Sequence, residues 1–277
     1  MATSSILVPL DGSQSAENAL GLASRFGAAF GHPLRVIHIA DPHQSSEELK
    51  PATERFVAYG EALAKRLGVP TTGTSFEVFA GNAAEMISAL AEDAAFVVIA
   101  SHGRGGFRAM FMGSVADKVV RTSHAPVIVV PAVGDAPGAP TKLMVALDGS
   151  DEAELALGPA RQIAAAFGAE LILLRAFNPA PPVTTEFGVY PPELPAMLEE
   201  ETKSYLASVA KPGEGTVIAM GDAASALVDS AKEVDADFVV MTSSGKGAAK
   251  RFVIGSTTSR VMHSLHRTIM VIPHRGD

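Results

Sequence analysis

The sequence predicts an α/β protein with two doubly wound parallel sheets, and three observations carry this prediction. The 277-residue chain repeats itself: residues 6–30 align without a gap with 143–167, and 96–131 align with 238–273 at 12 identical positions of 36. Apolar strand-like runs alternate with segments of helical spacing in both repeats. The strands are apolar on both faces, which is typical of parallel sheets covered by helices. Right-handed crossovers then give a doubly wound fold.

Local signals predict each strand and helix of the first repeat. Short apolar runs predict strands, while helical spacing that stops at Gly31 and at Gly68 predicts the first two helices. Asn82 can cap the third helix, because its side chain accepts a hydrogen bond from the first turn. The expected strands are 5–10, 34–40, 75–80, 96–100 and 127–130, and the expected helices are 15–30, 46–67, 82–93 and 113–123.

The second repeat shows the same order of elements. Its expected strands are 142–147, 170–176, 216–220, 237–242 and 268–272, and its expected helices are 151–167, 193–209, 222–234 and 255–264. A linker at 134–141, rich in glycine and proline, separates a first domain, 1–133, from a second, 142–277. A proline-rich insert at 178–192 distinguishes the second domain, and we favour a disordered bridge over a functional lid for it.

Composition excludes several classes of function. The chain has no cysteine, so it can form neither a disulfide framework nor a thiolate zinc site. Its net charge of −8 argues against nonspecific binding of nucleic acid. No apolar run is long enough to span a bilayer, and the N-terminus lacks the pattern of a secretory signal. We therefore expect a cytoplasmic protein that binds neither nucleic acid nor membranes.

Two segments after predicted strands indicate a phosphate or nucleotide site. Asp11 follows the first strand, and its carboxylate could accept from an adenine amino group or a ribose hydroxyl. A glycine-rich loop at 101–112 follows the fourth strand and leads into a helix at Gly113, whose free amides favour an anion. Arg104 could add a charge-assisted hydrogen bond. Alone, such a loop is often a tight turn and Asp-Gly-Ser is often a helix cap, but their occurrence together in both repeats favours a nucleotide site.

On these residues the chain resembles tandem members of the universal stress protein family. Nucleotide-binding members share the motif Gly-x2-Gly-x9-Gly-Ser/Thr, and its second and third elements are intact here as Gly103 with Gly113 and as Gly245 with Gly255. The resemblance implies two Rossmann-like domains with strand order 3-2-1-4-5, related by a pseudo-twofold axis. It also implies that ATP, with or without Mg²⁺, binds at the carboxyl ends of the strands.

The resemblance also implies which residues contact the nucleotide. In the first repeat these residues are Pro9, Leu10, Asp11, Ile39, Ile99, Ala100, His102, Gly103, Arg104, Gly113, Ser114 and Val115. In the second repeat they are Ala146, Leu147, Asp148, Ala176, Met241, Thr242, Ser244, Gly245, Lys246, Gly255, Ser256 and Thr257.

The two repeats differ where the glycine-rich loop begins. The first glycine of the family motif is replaced by Ala100 in one repeat and by Thr242 in the other, and His102 becomes Ser244. A β-branched threonine is bulkier than alanine, so we expect it to crowd a ligand. The second site is therefore expected to be the weaker one.

Three hypotheses for the function follow. The preferred one is an ATP-binding stress-response protein with a regulatory role, because no residue is evident for activating water. The second is a slow ATPase or adenylyl-transfer enzyme that uses His102 and Arg104. The third is an interaction module with vestigial nucleotide sites. No catalytic residues are assigned, and no metal site is expected, because His263 and His266 lack a third ligand.

The fifth strands suggest how the halves of the chain are joined. Residues 127–130 and 269–272 are apolar and would form sheet edges, which tend to pair. We therefore expect the two domains to pair within one chain through these strands. The sequence also leaves room for a homodimer of the whole chain.

Overall fold

The computed structural model describes residues 4–103, 112–132, 137–179, 193–245 and 254–274. The first repeat contains β1 (Ser5–Pro9), α1 (Gln14–Phe30), β2 (Leu34–Ala40), α2 (Ser46–Leu67), β3 (Thr74–Ala80), α3 (Ala83–Leu90), β4 (Ala94–Ala100), α4 (Ser114–Thr122) and β5 (Val127–Val130). The second contains β6 (Lys142–Leu147), α5 (Asp151–Glu154), α6 (Leu157–Phe167), β7 (Glu170–Phe177), α7 (Leu194–Val209), β8 (Gly215–Met220), α8 (Ala223–Glu233), β9 (Phe238–Thr242), α9 (Ser256–Ser264) and β10 (Thr268–Ile272).

Two predicted helices differ from the observed ones. The helix expected at 82–93 ends at Leu90 and continues as a 3₁₀ turn, Ala91–Asp93. The helix expected at 151–167 is divided into α5 and α6. Pro159 explains the division, because proline has no amide hydrogen to donate within a helix and is tolerated in a first turn. The chain accordingly restarts a helix at Leu157, two residues before the proline.

The helix ends confirm the predicted caps. The Asn82 side chain accepts a hydrogen bond from the amide of Glu85 at 3.2 Å, so it caps α3. Gly31 and Gly68 end α1 and α2 with φ of 70° and 66°, a left-handed conformation that favours glycine. At the start of α2, Ser45 forms a capping box with Glu48.

The chain folds into two compact units. Unit 1 contains β1–β5, α1–α4 and also β10, whereas unit 2 contains β6–β9 and α5–α9. Within unit 1 the strand order is β3-β2-β1-β4-β5-β10, and β1–β5 are parallel. Within unit 2 the order is β9-β6-β7-β8, with all pairs parallel. The strand order predicted for the first repeat, 3-2-1-4-5, is confirmed.

Strand β10 runs antiparallel to β5. Met270 lies opposite Ile128, and Ile269 and Val271 lie opposite Val129 and Val127. The predicted pairing of 127–130 with 269–272 is therefore confirmed. It leaves β5 with a neighbour on each side, so that its backbone amides and carbonyls are not presented as an open edge.

Buried aliphatic side chains of the central strands form the core of each unit. Ile6, Leu7 and Val8 of β1 are fully buried, and Leu143, Met144 and Val145 of β6 are their counterparts in unit 2. In unit 1 the rings of Phe26 and Phe30 add a cluster with Phe96, at centroid distances of 5.9 and 5.7 Å. These apolar cores fix the strands, so that the polar residues after β1 and β4 are held at one edge of the sheet. No helix within the described ranges is long and apolar enough to cross a membrane.

Candidate functional site

The turn after β1 orients the carboxylate of Asp11. Its Oδ1 accepts hydrogen bonds from the Ser13 amide at 3.0 Å and from the Ser13 hydroxyl at 2.6 Å. Gly12 between them has φ of 80°. The Ser13 hydroxyl also accepts from the Ala16 amide at 3.3 Å and so caps α1. The Asp-Gly-Ser sequence is thus a helix cap that also fixes the direction of a carboxylate.

The loop after β4 lies directly against this carboxylate. A Cβ atom built on Gly103 would stand 2.1 Å from Asp11 Oδ2, so any larger residue would have to displace this carboxylate. The Ser15 hydroxyl donates to the His102 carbonyl at 3.0 Å, which ties the loop to α1. The two segments that the sequence places at neighbouring strand ends are therefore in contact.

The start of α4 has the geometry of an anion site. Gly113 precedes the helix, and its amide donates to the Ser101 carbonyl at 2.7 Å. A Cβ on Gly113 would lie 3.1 Å from that carbonyl oxygen. In the part of the chain that the structure describes, no side chain caps this helix. The amides of Ser114 and Val115, in the first turn of α4, thus have no capping side chain among the described residues. The helix dipole favours negative charge at this end.

A cleft of about 570 Å³ opens beside Asp11 in unit 1. This volume is within the range of small-molecule sites. One wall comes from the end of β2, where His38 Nδ1 lies 2.8 Å from the Leu10 carbonyl oxygen. The ring of Phe56 from α2 lies 5.4 Å from that of His38. The cleft is lined by Asp11, Gly12, His38, Ile39, Ala40, Asp41, Gln44, Ala52, Arg55, Phe56 and Tyr59.

Tyr59 at the cleft is fixed by a carboxylate behind it. Its hydroxyl donates to Glu17 Oε1 at 2.8 Å, and Arg66 also bonds this carboxylate. Burial and the adjacent Glu17 carboxylate raise the pKa of Tyr59. The hydroxyl therefore remains protonated at neutral pH and holds α2 against α1.

The remaining residues predicted for the first site lie around these groups. Leu10, Ile99 and Ala100 are buried, so their side chains belong to the core beneath the site. Pro9 ends β1, and Ile39 lines the cleft. His102 Nδ1 lies 3.2 Å from the Ser101 hydroxyl, which accepts from the Ala132 amide. Arg104 lies outside the described residues, as does Lys246 in the second repeat.

Unit 2 repeats the same framework. Asp148 Oδ1 accepts from the Ser150 amide at 3.0 Å and from its hydroxyl at 2.5 Å. A Cβ on Gly245 would stand 2.1 Å from Asp148 Oδ2. Gly255 precedes α9 and donates to the Ser243 carbonyl at 2.8 Å. The other predicted residues lie on or beside these elements: Ala146 and Leu147 on β6, Ala176 on β7, Met241 on β9, and Ser256 and Thr257 at the start of α9.

The loop after β9 differs from its counterpart in a way that the sequence does not reveal. Thr242 and Ser244 are only 5% and 3% exposed. The Thr242 hydroxyl donates to the Ser244 carbonyl at 2.8 Å, and Thr258 donates to the Thr242 carbonyl at 3.0 Å. Both residues thus belong to the internal hydrogen-bond framework of the loop, and the expectation that Thr242 crowds a ligand stays a prediction.

Sequence reasoning missed the side chains from β2 and α2 that shape the cleft. His38, Arg55, Phe56 and Tyr59 were not assigned to the site, and neither was Arg175 in unit 2. The alignment of the repeats at an offset of 137 contained a signal for one pair, because it places His38 opposite Arg175. Within the described ranges no three histidine, aspartate or glutamate side chains are grouped so as to hold a metal ion.

Fold and site together define a tandem α/β protein with an acidic turn and a glycine loop at the carboxyl ends of its strands. The model of the universal stress protein family matches residues 3–131 and again residues 140–273. The chain therefore belongs to the universal stress protein family, with two copies in tandem, as the resemblance predicted.

Individual relatives match this chain over different lengths. A universal stress protein of Mycobacterium tuberculosis is 25% identical over 287 residues, covering 96% of each chain. The crystal structure of one from Archaeoglobus fulgidus has a TM-score of 0.69 at 20% identity and covers 99% of both chains. Another structure from Archaeoglobus fulgidus, in complex with dAMP, covers 47% of this chain and 98% of its own, at 24% identity and a TM-score of 0.37.

Proposed function

We propose that this protein is a cytoplasmic ATP-binding member of the family with a regulatory role in the stress response. One observation carries the proposal: Gly103 brings the glycine loop into contact with Asp11, beside a cleft of about 570 Å³. A nucleoside in the cleft could thus meet a carboxylate. Its phosphates would extend along the loop toward α4.

The described residues fit such a ligand. Asp11 would accept from the purine amino group or a ribose hydroxyl, and Ile39 with Phe56 would line the base. The first amides of α4 would donate to the phosphates. The start of α4 lies close to the end of the preceding strand, because a Cβ added at Gly113 would stand 3.1 Å from the Ser101 carbonyl oxygen. Mg²⁺ would come with the phosphates, since the described residues gather no ligand group of their own.

A regulatory rather than catalytic output is favoured by how the titratable groups are used. Asp11 is held by Ser13, and His102 Nδ1 lies beside the Ser101 hydroxyl. Both hydroxyls beside these groups already serve the backbone, because Ser13 accepts from the Ala16 amide and Ser101 accepts from the Ala132 amide, which favours a structural use of them. Bound nucleotide would instead contact the glycine loop and alter the surface that the protein presents to partners. The net charge of −8 disfavours nucleic acid as such a partner, and a homodimer is part of the same proposal.

Calorimetric titration of the full chain with ATP tests the proposal. We expect Asp11→Asn to weaken binding about tenfold or more, because hydrogen bonds to a charged group contribute about 1.5–3 kcal/mol. Asp93→Asn, on an exposed residue before β4, is the matched control and should bind like the wild type. Absence of ATP binding would support the interaction-module hypothesis, and fast turnover lost in His102→Ala would support the enzyme hypothesis.

A further inference from the structure

The guanidinium of Arg175 covers the turn beside Asp148 in unit 2. A Cβ built on Gly149 would meet Arg175 Cζ at 3.1 Å and its two terminal nitrogens at 3.2 and 3.3 Å. The whole planar group therefore lies flat against the glycine. The Arg175 side chain is only 12% exposed, so this is a packed position rather than a surface one.

Two side chains of α7 hold the guanidinium in this place. Arg175 Cζ lies 4.8 Å from the centre of the Tyr205 ring, which is a cation–π distance. Its Nη2 donates to Glu201 Oε1 at 3.2 Å. The Tyr205 hydroxyl in turn donates to Glu154 Oε1 at 3.0 Å, which fixes the ring.

Unit 1 has the same tyrosine–glutamate pair as unit 2, but a different side chain lies beside it. Tyr59 bonds Glu17 as Tyr205 bonds Glu154, so the two tyrosines are equivalent. The position of Arg175 is that of His38, which turns its Nδ1 to the Leu10 carbonyl and lies against Phe56. Three residues before the tyrosine, α2 carries Phe56 whereas α7 carries a buried threonine, Thr202. A smaller side chain on the helix thus leaves room for the longer one on the strand.

The space beside the aspartate is open in unit 1 and filled in unit 2. Gly12 lines an open cleft next to Asp11, whereas its counterpart Gly149 is covered by Arg175. A nucleoside approaching Asp148 in the same way would have to expel a guanidinium that is stacked, ion-paired and mostly out of water.

We propose that Arg175 closes the second nucleotide site, so that the chain binds a single adenine nucleotide, in the first repeat. This inference rests on the proposed function. It makes residues 38 and 175 the positions that decide which repeat is open. The glycines and carboxylates around both sites are the same, so the motif alone does not distinguish them.

Native mass spectrometry of the full chain with saturating ATP measures the stoichiometry. We expect one nucleotide per wild-type chain, two per chain for Arg175→His, and close to none for the reverse exchange, His38→Arg combined with Phe56→Thr. Photolabelling with 8-azido-ATP should mark peptides of the first repeat in the wild type and of both repeats in Arg175→His.

A milder variant keeps the test valid if Arg175→His folds poorly. Glu201→Gln removes the ion pair from an exposed carboxylate, and we expect second-site affinity to rise at least threefold, with exposed Glu200→Gln as the unchanged control. Two nucleotides per wild-type chain would overturn the inference and leave the proposed function standing. One nucleotide per chain in Arg175→His, together with unchanged second-site affinity in Glu201→Gln and wild-type melting curves for both variants, would likewise overturn it. None in the wild type or any variant would overturn both proposals.

Discussion

Gly103 and Gly245 have the same neighbour in the two repeats. Each lies where a Cβ would stand 2.1 Å from an aspartate Oδ2. Since a serine amide and hydroxyl hold the carboxylate from its other side, moving it away would break these hydrogen bonds. These glycines therefore set the distance between the carboxylate and the phosphate loop.

We expect Gly103→Ala to lower ATP affinity at least tenfold by displacing Asp11. The free energy of unfolding should fall by about 1–3 kcal/mol, as is usual when an atom is added to a packed site. Gly21→Ala is the matched control: nothing lies within 4 Å of its Cβ position in α1. It should leave affinity unchanged and stabilise by about 0.5–1 kcal/mol. Calorimetry and urea unfolding measure both quantities, and unchanged affinity in Gly103→Ala would refute the role assigned to this contact.

At the level of single residues, sequence spacing predicted Asp11, Gly103 and Gly113 but not the side chains that fill or open the cleft. The spacing identifies these residues because Asp11 directly follows a strand and the two glycines stand a fixed number of residues apart in one loop. Whether position 175 fills the cleft depends on what α7 places opposite it, here Tyr205 and Thr202. That contact joins segments far apart in the chain, so no local pattern contains it.

Between elements, forked ion pairs join neighbouring segments in both units. Arg35 on β2 donates to Glu77 on β3 through Nε at 2.9 Å and Nη2 at 2.8 Å. Arg161 on α6 makes the same kind of pair with Glu214, just before β8. The hydrogen bonds from the guanidinium hold the pKa of each glutamate below its usual value.

The Arg35–Glu77 pair should make stability depend on pH. Because the folded-state pKa of Glu77 lies below its ordinary value of 4.5, the pair stabilises the fold above that pH and is lost as the pH falls through the folded value. With both side chains about a third exposed, we expect Glu77→Gln to cost about 0.5–1 kcal/mol at pH 7. The difference from the wild type should shrink toward pH 3 in denaturant titrations. Glu61→Gln, on an exposed face of α2, controls for the lost charge, and a constant difference across pH would contradict the prediction.

Element boundaries were the most predictable feature of the fold, because strands, caps and glycine stops are local signals. The α5–α6 division escaped prediction although Pro159 was visible. Apolar periodicity continues across the break, so the spacing does not show that a new helix begins at Leu157.

At the scale of the whole molecule, β10 comes from the second repeat yet belongs to the compact unit of the first. Its Met270 is fully buried and lies opposite Ile128 of β5. The pairing was predictable because both strands are apolar and would otherwise be edges. The limits of the two domains, 1–133 and 142–277, stay a prediction, since β10 is part of the second repeat by sequence but packs with the first unit.

Disrupting this strand pair should destabilise the protein strongly. Met270→Lys would place a charge where no water reaches, and we expect a loss of about 3–5 kcal/mol together with self-association through the freed strand β5. Met220→Lys on β8 is the matched control, because Met220 is 68% exposed, and its effect should stay within about 0.5 kcal/mol. Urea unfolding and light scattering measure the two effects. Equal behaviour of the variants would show that β10 is dispensable.

The exchange of His38 for Arg175 has a consequence for how such a duplicated protein can evolve. Histidine and arginine codons can differ by a single base, so one point mutation exchanges the strand side chain, and a change at the position of Phe56 and Thr202 adjusts the helix opposite it. The tyrosine and glutamate frame survives the exchange in both units. A lineage carrying this gene could therefore silence one binding site, or restore it, without rebuilding the fold.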